Sequence, residues 1–174
     1  IARSARSQSV TGDHDALLIY DRATKWVDCY PVRTQSANDA AYRFLAFKGP
    51  KDTIKYCHTD DSRSLQRALR DLNIPHDPST PGRPRTNGVA ERQVKEVVHG
   101  TRTLLLKAGL PACFWPLAMR HFCFARNIMA DPITGDSAYR RRHGKDFQGA
   151  LIPFGAKIQF LPSPTADRKE SAKG

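Results

Sequence analysis

From residue 16 to residue 72 the chain switches between hydrophobic periods in a fixed order of strand, strand, helix, strand, helix, which restricts it to the α/β class. Ala16-Leu17-Leu18-Ile19-Tyr20 is a continuous apolar run of strand length. Asp21-Arg22-Ala23-Thr24-Lys25 supplies a turn, and Trp26-Val27-Asp28-Cys29-Tyr30-Pro31-Val32 follows as a second β-prone run, so the spacing predicts a hairpin. Ser36-Ala37-Asn38-Asp39 opens a helix that continues through Ala40 to Phe47 and stops at Gly49-Pro50. A further strand is expected from Thr53 to His58, then a helix from Ser62 to Leu72.

Pro75 to Thr86 is rich in proline and cannot continue a helix or a central strand, so it reads as a loop. Asn87-Gly88 leads into a long helix ending near Gly109-Leu110-Pro111. Its expected apolar stripe is Val94, Val97, Leu104, Leu105 and Ala108, with Thr101 completing the spacing. The next helix is expected from Phe114 to Ile128, and Ile158 to Leu161 is read as a late strand. Ile1 to Gly12 lacks periodicity, and Pro162 onward reads as a flexible boundary. The chain of 174 residues therefore divides into one domain over 1–161 and a tail over 162–174.

Lys and Arg number 28 against 17 Asp and Glu, a formal charge of +11, which favours a polyanionic partner, the alternative being a merely solvated basic surface. The basic residues recur along the chain, including a cluster at Arg140-Arg141-Arg142-His143 that reads as a second polyanion patch. No apolar run reaches membrane length. Cys29, Cys57, Cys113 and Cys123 have no CxxC pairing and the histidines form no HExxH, so a structural zinc site is not expected and reduced, buried thiols are.

Two places carry candidate chemistry. In Cys57-His58-Thr59-Asp60-Asp61-Ser62 an acidic pair follows an apolar strand, and in Thr86-Asn87-Gly88-Val89-Ala90-Glu91-Arg92 a carboxylate sits in the first helical turn. Glu91 precedes Val94 by one turn, which sets it beside the inward face and directs it towards the strand end that carries Asp60. Carboxylates from separate elements can hold two divalent ions ~4 Å apart, the arrangement that activates a nucleophile and stabilises the leaving oxygen in phosphoryl transfer. Mg2+ and Mn2+ are the ions suited to such oxygen ligands. Each acid also has a plainer reading: Asp60 or Asp61 as a helix cap, Glu91 as a favourable charge at a helix N-terminus. Arg92, Lys95, His99 and Arg102 form a continuous stripe along the same helix, and Arg83 and Arg85 extend the track, so a phosphate backbone can be neutralised beside the acids. A merely solvated helix face is the alternative.

These landmarks resemble the integrase catalytic core of copia-type retrotransposon Pol polyproteins, within the retroviral integrase superfamily. The matching segments are Tyr20 to Trp26, His58-Thr59-Asp60-Asp61-Ser62, Thr80-Pro81-Gly82-Arg83 through Asn87-Gly88-Val89-Ala90-Glu91-Arg92, Ala125-Arg126-Asn127, and Pro153-Phe154-Gly155-Ala156. The resemblance implies a ribonuclease H-like fold, a mixed central sheet flanked by helices, and a ligand triad of two aspartates and a glutamate. Asp60 matches the second aspartate and Glu91 the glutamate. Lys95 matches a position that contacts DNA phosphate in relatives, and Asn87 is expected to cap or hydrogen-bond the loop. Asp61 stands where the family usually has Asn and is a further candidate metal ligand. Asp13 and Asp15 fall at the start of the hairpin and Asp21 has a structural register, so all or part of the first strand, with the first aspartate, is expected to be missing.

What the resemblance implies is DNA integration by metal-dependent 3′-end processing and strand transfer. Double-stranded element ends and target DNA are the expected partners, with self-association and no membrane. The expected location is the nucleus, after cytoplasmic retrotransposon particles. A nonenzymatic nucleic-acid-binding remnant and a ribonuclease H-like hydrolase are the competing readings, because shared metal chemistry does not choose the substrate.

Overall fold

A computed structural model of the chain describes residues 9–78 and 88–159. The predicted hairpin is present: β1 (Asp15–Tyr20) pairs antiparallel with β2 (Val27–Val32), with Leu18 opposite Cys29 and Tyr20 opposite Val27. Asp21 builds the turn between them. Its carboxylate accepts hydrogen bonds from the Ala23 amide (3.0 Å), the Thr24 amide (3.3 Å) and the Thr24 hydroxyl (2.6 Å). Lys25 then takes a left-handed φ of 67° so that Trp26 can receive the Asp21 N–H at 2.8 Å. Partial burial opposes ionisation of Asp21, but the Thr24 hydroxyl, the two turn amides and the Arg142 charge outweigh it and hold the carboxyl below its usual range. Asp21 is thus a turn-builder, as its register implied.

Successive side chains of β1 point to opposite faces, and each face is covered. Ala16, Leu18 and Tyr20 pack with Val27 and Cys29 against Val97, Met119, Cys123, Trp115 and Phe122. Leu17 and Ile19 pack instead with Ala40, Phe44, Ala68, Leu69 and their neighbours. The hairpin is therefore the middle layer of a mixed α/β domain. One helix layer is α1 (Ala37–Lys48) and α2 (Arg63–Asp71); the other is α3 (Gly88–Ala108) and α4 (Trp115–Ile128). A short α5 (Ala138–His143) follows. The start of α1 is capped as predicted. Ser36 Oγ accepts the Asp39 amide at 3.1 Å, and the Asp39 carboxylate accepts the Thr34 and Ser36 hydroxyls, which lowers its pKa.

Several expectations are corrected. The strand predicted from Thr53 to His58 is only Cys57–Thr59 (β3), and Thr53 to Tyr56 lie outside any strand. The segment read as loop from Pro75 begins with a strand, β4 (His76–Pro78), parallel to β3. Proline is tolerated there because Pro78 occupies the last rung of a three-residue strand, where the missing N–H interrupts no longer ladder. Among the described residues the strands form two separate two-stranded sheets, where one mixed central sheet was expected. Ile158 and Gln159 are not in a strand; Phe160 and Leu161, the tail over 162–174, and residues 1–8 lie outside the described residues.

The inward face of α3 is Gln93, Val97, Gly100, Thr101 and Leu105, and Val94 is 44% exposed instead of buried. At that level the inward slot is taken by Gln93, whose side-chain oxygen receives Arg126 Nη2 of α4 at 2.8 Å. Two turns further, Gly100 admits Phe122, whose ring occupies the space a Cβ at Gly100 would need. Asn127 of α4 is almost wholly buried and pairs with the backbone of Val27, accepting its N–H at 3.0 Å and donating to its carbonyl at 2.7 Å. It thereby satisfies the two backbone groups of Val27, which face away from β1. All four cysteines are free thiols; Cys29 and Cys123 are buried, Cys57 and Cys113 half-buried. Burial pushes the Cys57 thiol up to about 11.

Candidate nucleic-acid interface

Asp60 follows the last residue of β3, and its position is set by the turn into α2. Its Oδ1 accepts the Ser62 amide at 3.3 Å, while Ser62 stands at the N-cap of α2 without using its own side chain as a cap. Asp61 Oδ1 accepts from Gln66 Nε2 at 3.1 Å. Both carboxylates are exposed and both therefore have a local structural task, as the plainer reading of each allowed. The preceding Thr59 is buried, and its hydroxyl has no hydrogen-bond partner.

Glu91 lies in the first turn of α3, where a negative charge is favourable, and it is exposed. It was expected beside the inward face. The register of that face starts at Gln93, with Val97 one turn on, and this leaves Glu91 towards solvent. Among the described residues no group of three or more His, Cys, Asp or Glu side chains is placed to hold a metal ion, so Asp60, Asp61 and Glu91 do not gather there into a metal centre.

The basic stripe is placed as its spacing required. Arg92, Lys95, His99 and Arg102 are all exposed, and together with Glu96 and Val98 they line one shallow open depression of about 620 Å³ along α3. Three permanent cations along one helix face make a linear array suited to successive phosphates. Arg83, Arg85 and Asn87, which would extend the track, lie outside the described residues.

Glu96 is the one acid in that wall, and it is paired. Arg126 Nε reaches Glu96 Oε1 at 2.7 Å and Nη2 reaches Oε2 at 3.4 Å, while Nη2 also donates to Gln93. The guanidinium lies 5.8 Å from the centre of the Tyr20 ring. Sequence reasoning missed this role of Arg126. Its only local signal is membership of Ala125-Arg126-Asn127, and its partner lies on another helix.

The second polyanion patch expected at Arg140 to His143 is corrected. Arg140 pairs with Asp136 at 4.0 Å and Asp146 at 3.7 Å, and Arg141 with Asp136 at 3.0 Å. Arg142 is mostly buried, bonds the Phe47 carbonyl, stacks on Trp26 and Phe47, and pairs with Asp52 at 3.9 Å. Arg142 fastens α5 to the end of α1 and to the hairpin, while Arg140 and Arg141 are paired with acids that flank α5 in the chain. Among the described residues no helix is long and apolar enough to cross a membrane.

No family model matches the chain. It is 36% identical over 66 residues to a retrovirus-related Pol polyprotein from transposon TNT 1-94 of Nicotiana tabacum, covering 38% of this chain and 5% of that protein. It is 26% identical over 125 residues to a retrovirus-related Pol polyprotein from transposon RE2 of Arabidopsis thaliana, covering 67% of this chain and 8% of that protein. The chain is distantly homologous to retrotransposon Pol polyproteins, and it spans less than a tenth of the length of these two relatives.

Proposed function

We propose that this chain supplies the DNA-gripping face of an integrase catalytic core within a retrotransposon polyprotein. The observation that carries the reading is the exposed depression on α3, where Arg92, Lys95 and Arg102 stand in line beginning next to Glu91. A phosphate backbone laid along it releases condensed counterions, and its scissile group is held at the end of the helix where Glu91 stands. Asn87, Arg83 and Arg85, which precede α3 in the sequence, are proposed as further contacts to the same nucleic acid, and His99 adds a hydrogen-bonding group.

The reaction proposed for the complete core has two steps. Water attacks a phosphodiester near each element end and frees a 3′-hydroxyl; that hydroxyl then attacks a target phosphodiester, forming one new P–O bond as the target 3′-oxygen leaves. Asp60 and Glu91, with Asp61 as a further ligand, are the carboxylates that would hold Mg2+ or Mn2+ for this chemistry. The described residues alone do not fit a metal centre, so the role argued for this surface is binding and alignment. Element DNA ends and target DNA are the proposed partners, with a second copy of the core, and the nucleus is the proposed place of action.

Salt dependence of duplex binding tests the reading. Three cation–phosphate contacts give a slope of about −2.7 in log affinity against log salt, so affinity falls about forty-fold between about 50 and 200 mM salt. Binding that ignores salt, or that survives Arg92→Gln with Lys95→Gln undiminished, would remove the proposed interface. Manganese-dependent joining by the full polyprotein's integrase should be abolished by Glu91→Gln. The absence of a described three-ligand cluster favours a second reading, a nonenzymatic nucleic-acid-binding module. That reading gains if the integrase binds duplex DNA equally in EDTA and in Mn2+ and never cleaves or joins it.

A further inference from the structure

A carboxylate in the wall of a phosphate-binding depression opposes its ligand. Glu96 holds that position between Lys95 and His99, and three elements converge to neutralise it. Arg126 comes from α4 and bridges Glu96 through Nε and Nη2; its Nη2 is also held by Gln93, which is 6% exposed. Tyr20, the last residue of β1, lies under the guanidinium. Arg126 is 23% exposed and does not itself line the depression.

We infer that Arg126 is a charge clamp, a positioning residue that cancels Glu96 from behind so that an entering phosphate backbone meets Arg92, Lys95 and Arg102 without an opposing carboxylate. The inference rests on the nucleic-acid reading given above. The planar guanidinium satisfies the carboxylate and the Gln93 oxygen together while lying on an aromatic face, but what cancels Glu96 is its charge, which an ammonium at the same place also supplies. The pair is partly exposed, so its contribution to stability is small, and its main effect is on the local potential felt by a ligand.

The test is a double-mutant cycle on a short duplex DNA, with affinity measured across a salt series. Arg126→Met keeps the apolar stem on Tyr20 and frees the Glu96 charge; affinity falls about tenfold and the salt slope becomes shallower by about one, the equivalent of one lost phosphate contact. Adding Glu96→Gln to Arg126→Met restores most of the loss, so that Glu96→Gln improves affinity about tenfold in that background and no more than about threefold in the wild-type chain. Arg126→Lys, which keeps the charge, stays within about threefold of wild type and keeps the test open should the methionine variant fail to fold. Equal effects of Glu96→Gln in both backgrounds, or an Arg126→Lys variant as weak as Arg126→Met, would overturn the clamp while leaving the interface standing. A wild-type chain without salt-dependent duplex binding overturns the interface, and the clamp falls with it.

Discussion

Replacing Asn127 by alanine removes a side chain that acts as a one-residue strand. Its amide meets both outward-facing backbone groups of Val27, the N–H at 3.0 Å and the carbonyl at 2.7 Å, and Val27 is fully buried. Water cannot replace either contact without opening the packing between β2 and α4. Each orphaned group costs about 1–3 kcal/mol, so the two together with the small cavity cost about 2–5 kcal/mol, a large share of the ~5–15 kcal/mol typical of a folded domain. Asn127→Asp is expected to be no better, since an oxygen then faces the Val27 carbonyl. Urea unfolding followed by the fluorescence of Trp26 and Trp115 measures the loss. Thr103→Ala is the control: its hydroxyl donates to the His99 carbonyl at 3.1 Å on the exposed side of α3, and its removal costs under about 0.5 kcal/mol. A loss below about 1 kcal/mol for Asn127→Ala would refute the claim that this side chain completes the edge of β2.

Gly100→Ala gains about 1 kcal/mol of helix propensity yet is expected to lower stability by about 1–2 kcal/mol net, because the added methyl must displace the Phe122 ring; a raised melting temperature would contradict that close approach. Lys25→Gly relieves the left-handed turn residue and should add about 0.5–1 kcal/mol in urea unfolding, with no gain expected if the turn relaxes to another shape. The lowered pKa of Asp21 contributes stability present above the unfolded carboxylate value and lost as pH falls through the folded one; Asp21→Asn should therefore lessen the acid sensitivity of unfolding below about pH 4. Asp28 has the opposite sign, since burial raises its pKa against the hydrogen bonds from the Cys29 amide and Tyr30; Asp28→Asn should raise the urea midpoint at pH 7 more than at pH 3.

What local chemistry determines was readable from the residues. The hairpin followed from two β-prone runs and an Asp-led turn, the start of α1 from Ser36 and Asp39, and the exposed stripe of α3 from a spacing of three and four. What depends on distant partners was not readable. β4 exists because β3 offers a parallel edge, with the Pro75 carbonyl accepting the Cys57 amide at 2.9 Å, although its own sequence is that of a loop. Val94 lost its inward place to Gln93 because Arg126 reaches that level from α4. Arg140, Arg141 and Arg142 look like a free basic cluster until Asp136, Asp146 and Asp52 are brought beside them. Charge composition gives only an excess of cations; tertiary pairing distinguishes those left open from those already occupied.

The division of the strands into two pairs bears on how Asp60 is held. The hairpin and the β3–β4 pair share no backbone rung among the described residues, and what joins them is the greasy contact of Leu17 and Ile19 with the α1–α2 layer on which Cys57 also rests. Contacts of that kind slide where a ladder would have to break. If the acidic tip is mounted in this way, amide exchange is expected to show faster opening at Cys57 to Thr59 than at Ile19, whose rung with Asp28 lies within the hairpin ladder.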